Sequence, residues 1–134
     1  MTFYLHLIPY LFGKGFFYLE EKTMAVRILS TPTRLTVELI GEIDHHNAAV
    51  LRMETDEAIQ KRMPPNVRLD FGEVTFIDSS AIGFVLGRYR LVSAYSGNIE
   101  VVNLSERNYR IMRLAGLEKL VMLRKKENKN ENCQ

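Results

Sequence analysis

The sequence predicts an α/β fold, a mixed β-sheet with packed helices in the order β-β-α-β-α-β-α. Three observations carry this reading. Strand-like alternation of apolar and polar residues recurs in short runs at residues 26–29, 35–40, 67–71 and 99–102. Apolar stripes at helical spacing fall between the later runs and after the last one. Turn and breaker clusters separate the segments: Ser30-Thr31-Pro32-Thr33, Pro64-Pro65 and Ser96-Gly97-Asn98.

Taken in order, Val26 and Ile28 alternate with Arg27 and Leu29 as an edge strand. Leu35, Val37 and Leu39 alternate with Thr36, Glu38 and Ile40 as its hairpin partner, ended by Gly41. Asp44 is a helix N-cap, and Ala48, Leu51, Thr55, Ala58 and Ile59 follow at helical spacing, with Met63 extending the stripe. Arg52, Glu54, Asp56, Glu57 and Lys61 fall largely off it, as a surface helix requires, and Pro64-Pro65 stops the helix. Val67, Leu69 and Phe71 mark a third strand, and a loop over residues 72–77 leads to Asp78-Ser79-Ser80. The second helix presents Ile82, Val85, Leu86, Tyr89 and Val92 on one face. Gly83 and Gly87 share another; each costs about 1 kcal/mol against alanine, which a close backbone approach would justify. After the fourth strand, Ser105 caps a last helix with apolar Tyr109, Ile111, Met112 and Leu114. Gly116 marks its C-terminus, and Leu117 and residues 120–123 return to the core. Each strand–helix–strand unit implies a right-handed crossover between parallel neighbours.

A length of 134 residues suits one domain, and 46% apolar with 25% charged residues is an ordinary globular balance. The formal charge of +2, from 18 basic and 16 acidic residues, is too weak a bias to argue for nucleic acid. With Cys133 as the one cysteine, no internal disulfide can form and an oxidising compartment gains no support. A cytoplasmic location is expected.

Residues 1–23 read differently from the domain at 24–123. The apolar run from Phe3 to Phe12 contains His6 and Pro9, is too short to span a bilayer, and lacks the basic flank and cleavage site of a secretory signal. The preferred reading is an N-terminal extension arising from a mis-assigned start. Met24 directly precedes the first strand, and Glu20-Glu21-Lys22 can be encoded by purine-rich codons resembling a ribosome-binding site. The alternative is a membrane-surface or partner-binding arm. Residues 124–134 read as a polar, disordered tail.

The most informative segment is Phe76-Ile77-Asp78-Ser79-Ser80-Ala81-Ile82-Gly83. It sets two hydroxyls between a strand and a helix, where unpaired N–H groups and the helix dipole favour a phosphate. The plainer reading is a helix cap, since Asp and Ser are both good cap residues. Continued through Phe84-Val85-Leu86-Gly87-Arg88-Tyr89-Arg90, the segment resembles the phosphorylation segment of the bacterial anti-sigma-F factor antagonists, a sporulation family of STAS domains. Gly41-Glu42-Ile43-Asp44-His45-His46 resembles the loop of that family leading into its first helix. Ala115-Gly116-Leu117-Glu118-Lys119-Leu120 is a weaker third match. The resemblance runs from about residue 24 to 123.

It implies a STAS-like fold and a regulatory binding protein, not an enzyme, with no cofactor. Ser79 would be phosphorylated by an anti-sigma factor that is also a serine kinase. The unphosphorylated form would bind that kinase and release a sigma factor, and a phosphoserine phosphatase would restore it. Partner contacts are implied for Asp44, His45, His46, Asp78, Ser80, Ala81, Gly83 and Arg88, with no direct nucleic acid and no membrane. Ala81 departs from the family, which usually carries glycine there. His45 and His46 lie adjacent, with no spaced ligand set for a metal. A STAS antagonist of a general-stress sigma pathway, or a stressosome component, is the alternative within the family. A serine hydrolase is disfavoured because no Gly-x-Ser-x-Gly elbow surrounds Ser79, and a phosphate-cradling Gly-x-x-x-x-Gly-Lys loop is also absent.

Overall fold

The computed structural model describes the backbone of residues 4–12 and 16–22 and the whole of residues 25–127. Seven strands form one sheet in sequential order. They are β1 (Tyr4–Phe12), β2 (Phe16–Lys22), β3 (Val26–Ser30), β4 (Arg34–Ile43), β5 (Asn66–Ile77), β6 (Asn98–Leu104) and β7 (Met122–Lys125). The first four pair antiparallel, and β4 through β7 run parallel. Helices α1 (Ala48–Arg62), α2 (Ser79–Ser93) and α3 (Glu106–Leu114) make the crossovers, and a 3-10 turn (Leu117–Lys119) follows α3. Because each crossover advances by one strand and shares one hand, the helices gather on one face of the sheet.

Burial along the strands agrees. Val26, Leu35, Val37, Leu39, Val67, Leu69 and Val101 are at most 1% exposed, and their register puts them on one face. Each such side chain contributes roughly 1.5–3 kcal/mol by leaving water. The opposite face carries charges that pair across strands. Arg27 Nη1 lies 3.6 Å from Glu38 Oε2, and Arg68 Nε lies 2.6 Å from Glu100 Oε1. A sheet with one covered and one wet face gives the alternation seen in the sequence.

Several expectations are corrected. β3 is not an edge strand, because β2 pairs along its other side. β4 continues past Gly41, whose φ of +91° accompanies a register shift against β5. β5 likewise continues to Ile77, where a loop was expected. Met63 leaves the α1 stripe: the following Pro64 disfavours a helical conformation, so Met63 turns left-handed with φ 43° and is 56% exposed. Glu54, expected outside, is buried. On α2 the buried side chains are Ala81, Phe84, Val85, Arg88 and Val92, while Ile82, Leu86 and Tyr89 pack only partly. In the last helix Leu114 is 83% exposed instead of apolar core, and beyond it Leu120 and Met122 are also exposed. The polar stretch expected from Arg124 begins inside β7, which also takes in Lys125. Residues 128–134, including Cys133, lie outside the described residues. No helix among the described residues is long and apolar enough to cross a membrane.

Candidate functional site

The site is built where two neighbouring parallel strands end together. Ile43 of β4 is the register partner of Ile77 of β5, both are buried, and the Asp78 N–H donates to the Ile43 carbonyl at 3.2 Å. The chain therefore leaves the sheet at two adjacent points, as Asp44 and as Asp78. β5 carries two more residues than β4 over this span and takes them up in two register shifts, after Asp70 and after Val74, so the two strands still end together.

Asp44 opens a turn that runs into α1. Its Oδ1 accepts from the His46 and Asn47 backbone N–H groups at 3.0 and 2.9 Å, and its carbonyl accepts from the Ala48 N–H at 2.8 Å. Asp44 thus caps the turn over residues 45–47 and not α1 itself, whose N-cap is Asn47 with no side-chain cap bond. Asp78 caps α2 from extended backbone. Its Oδ1 accepts from the Ser80 N–H at 2.7 Å, and its Oδ2 from the His45 N–H at 3.2 Å. The second bond joins the two loops across 33 residues of sequence. The His45 ring Nδ1 also lies 3.6 Å from Asp78 Oδ2. The Ser80 backbone donor, with smaller contributions from the Ser80 side chain and from His45, holds the Asp78 carboxyl below the usual carboxylate range.

Ser79 and Ser80 are thereby separated. Ser80 is half-buried, and its N–H donates to Asp78 Oδ1. Ser79, the first residue of α2, is exposed, and its hydroxyl makes no hydrogen bond to the described residues. It points out at the helix end that carries the partial positive charge. One turn on, Gly83 is exposed, and a Cβ placed on it or on Gly87 meets nothing within 4 Å. No neighbouring backbone within the fold requires these glycines. Ser79, Gly83 and Gly87, spaced four apart, leave a low strip along α2.

His45 and His46 are exposed in the turn rather than on a helix, so their rings come together with centroids 4.0 Å apart. No group of three or more potential metal ligands occurs among the described residues. Phe76, 45% exposed and paired in register with Glu42, adds an apolar side chain beside the loops. The sequence reading passed over it. The signal was the adjacent pair Phe76-Ile77, of which a strand can direct only one toward the core.

Two of the expected contact residues lie elsewhere. Ala81 is fully buried against the core. Arg88 is 5% exposed, at the packing of α1 on α2. Its Nε sits 2.6 Å from Asp56 Oδ1, its Nη2 donates to Asp56 Oδ2 at 3.3 Å, and its guanidinium lies 5.1 Å from the centre of the Phe84 ring. Burial pushes the Asp56 carboxyl up despite Arg88, and burial likewise pulls Arg88 down. In the folded chain neither Ala81 nor Arg88 offers a surface to a partner.

This geometry has known counterparts. A family model of the STAS domain matches residues 25–130. An anti-sigma F factor antagonist from Paenibacillus polymyxa is 38% identical over 87 residues, spanning 65% of this chain and 74% of that protein. An anti-sigma-B factor antagonist from Bacillus subtilis (strain 168) is 29% identical over 87 residues, spanning 65% and 78%. Among solved structures, the anti-sigma factor antagonist SpoIIAA in its unphosphorylated form superposes with a TM-score of 0.64 at 28% identity, over 80% of this chain and 91% of that one. The Bacillus cell fate determinant SpoIIAA in the phosphorylated form gives 0.59 at 28% identity, over 80% and 95%. With a family model matching most of its length and a solved relative sharing its fold, this chain belongs to the STAS domain family.

Proposed function

We propose that the chain is an anti-sigma factor antagonist: a binding protein, not an enzyme, switched by phosphorylation of Ser79. The observation that carries this reading is the contrast between the two serines. Ser80 is tied to Asp78, whereas Ser79 is exposed with a free hydroxyl at a helix N-terminus. Ser79 is therefore the more accessible acceptor of the two. The names of the relatives, and the existence of SpoIIAA in both phosphorylated and unphosphorylated forms, support the same reading.

The unphosphorylated chain docks its strand-end loops and the low strip of α2 onto an anti-sigma factor with serine kinase activity, and the sigma factor is released. Asp44, His45, His46, Asp78, Ser80 and Gly83 border that surface. A phosphate on Ser79 adds nearly two negative charges beside the ionised Asp78, along with bulk on the strip. The helix N-terminus accommodates the phosphate within the chain. The cost falls on docking, through desolvation and through repulsion of any acidic partner group. A phosphoserine phosphatase then resets the switch in the cytoplasm. Ala81 replaces a glycine usual in the family, and its methyl group faces the core. Its influence on kinase recognition therefore passes through the α2 backbone.

The sporulation-type partner is favoured by the 38% identity to a sigma-F antagonist over the 29% identity to a sigma-B antagonist. The test is displacement. Added to preformed complexes of an anti-sigma-F kinase with its sigma factor, the wild-type chain should release sigma. Ser79→Asp should need on the order of tenfold more protein or fail. Release by Ser79→Asp at wild-type concentrations would rule out the switch. Release only from an anti-sigma-B complex would move the chain to the stress pathway.

A further inference from the structure

The end of the sheet opposite Ser79 holds a groove of about 360 Å³, open to solvent, where β4, β5 and β6 begin. That volume lies at the low end of the range for small-molecule sites, about 300–1,000 Å³. Val67, Ile99 and Tyr89 line its inner side, and Leu120 and Met122 line it from the β7 side, where they stand 46% and 56% exposed. These two apolar side chains have no role in the core of the fold.

Charge decides what the groove can take. Three ionisable side chains other than Tyr89 line it: Arg34, Glu100 and Arg124. Glu100 is already neutralised. Its Oε1 lies 2.6 Å from Arg68 Nε, and its Oε2 lies 3.6 Å from Arg124 Nε. Arg34 is exposed, and its guanidinium makes no hydrogen bond or ion pair with the described residues. The Asn66 amide is occupied in donating to the Thr33 carbonyl at 3.1 Å. The groove therefore has a mixed lining, with Leu120 and Met122 as its exposed apolar side chains and two cations at its mouth: Arg34, and Arg124, which shares the one Glu100 carboxylate with Arg68.

We propose that this groove binds a small amphiphilic carboxylate, its apolar body along Leu120 and Met122 and its anionic head on Arg34. A guanidinium meets a carboxylate with two parallel hydrogen bonds, which a neutral head group cannot reproduce. The site is separate from the Ser79 pole and does not depend on the switch.

The probe is octanoate, titrated into the full chain and followed by backbone amide NMR, with octanol as the uncharged control. Octanoate should saturate and shift the amides of Gly97, Asn98, Ile99 and Leu120. Octanol should bind about tenfold more weakly, the difference expected for one charge-assisted contact. Arg34→Gln, an exposed and structurally benign change, should weaken octanoate several-fold toward the octanol level and leave octanol unaffected. Met122→Glu should weaken octanoate by placing a like charge on the wall. The proposal is overturned by shifts that never saturate, by shifts centred on Ser79, by equal binding of octanol, or by unchanged octanoate binding in Arg34→Gln.

Discussion

Two aspartates flank α2, and they are held in opposite ways. Asp78 sits at its N-terminus, at the surface, gripped by backbone donors from Ser80 and His45, and its carboxyl is held low. Asp56 reaches across from α1 to the middle of α2, meets Arg88 in a nearly dry interface, and its carboxyl is pushed up. The first arrangement keeps a fixed negative charge and a free hydroxyl at the surface. The second fixes how α2 lies on its neighbour. The proposed switch and helix placement thus reside on the same helix in residues nine apart, Ser79 at the exposed end and Arg88 near Asp56.

That division predicts separable phenotypes. The largest effect expected is on binding: Ser79→Asp lowers affinity for the anti-sigma kinase by on the order of tenfold or more while leaving the thermal midpoint near wild type. Next is Asp56→Ala. Removing the carboxylate leaves the Arg88 guanidinium buried and unpaired, so denaturant melts should show a loss of about 3 kcal/mol, without specific loss of the Ser79 hydroxyl as an acceptor. Gly83→Ala follows. Its added methyl meets nothing in the fold, so helix propensity should raise stability by up to about 1 kcal/mol. Partner affinity should fall, because the strip is no longer low. A stability gain with unchanged affinity would remove Gly83 from the docking surface.

The smallest effect is the pH response of Asp78. A carboxyl held low in the folded chain contributes stability that is fully present above its ordinary value of about 4, and that is lost as pH falls through the lowered folded value. Asp78→Asn should therefore be less stable than wild type at neutral pH, with the gap closing below that range in urea melts. Asp56 has the opposite sign. Its raised folded value disfavours the charged form, a penalty relieved as pH falls through that value.

The same contrast explains what the sequence made legible. The Asp78-Ser79-Ser80 cap and the Ser105 cap were readable because capping is local: the side chain meets an N–H two or three residues on. The parallel β4–β5–β6 core was readable because the inward residues alternate over whole strands. Arg88 was not. An arginine among apolar helix residues looks like surface until the partner 32 residues away, Asp56, is known to face it. Glu54 went the same way. β7 was missed because four residues, Met122–Lys125, carry too little alternation to register as a strand. The pairing of β2 with β3 was missed because the N-terminal segment was read as outside the domain. We propose residues 24–127 as the folding unit. A chain beginning at Met24 should melt cooperatively, since the described core runs from Val26 to Val121.

The central claim is that Ser79 is the switch. Intact-mass and peptide mass spectrometry after incubation with an anti-sigma-F serine kinase and ATP tests it most directly, with wild type beside Ser79→Ala and Ser80→Ala. The account predicts one phosphate on wild type and on Ser80→Ala, mapped to Ser79, and none on Ser79→Ala. A phosphate that persists in Ser79→Ala, or none on wild type while the kinase modifies a control antagonist, would contradict it.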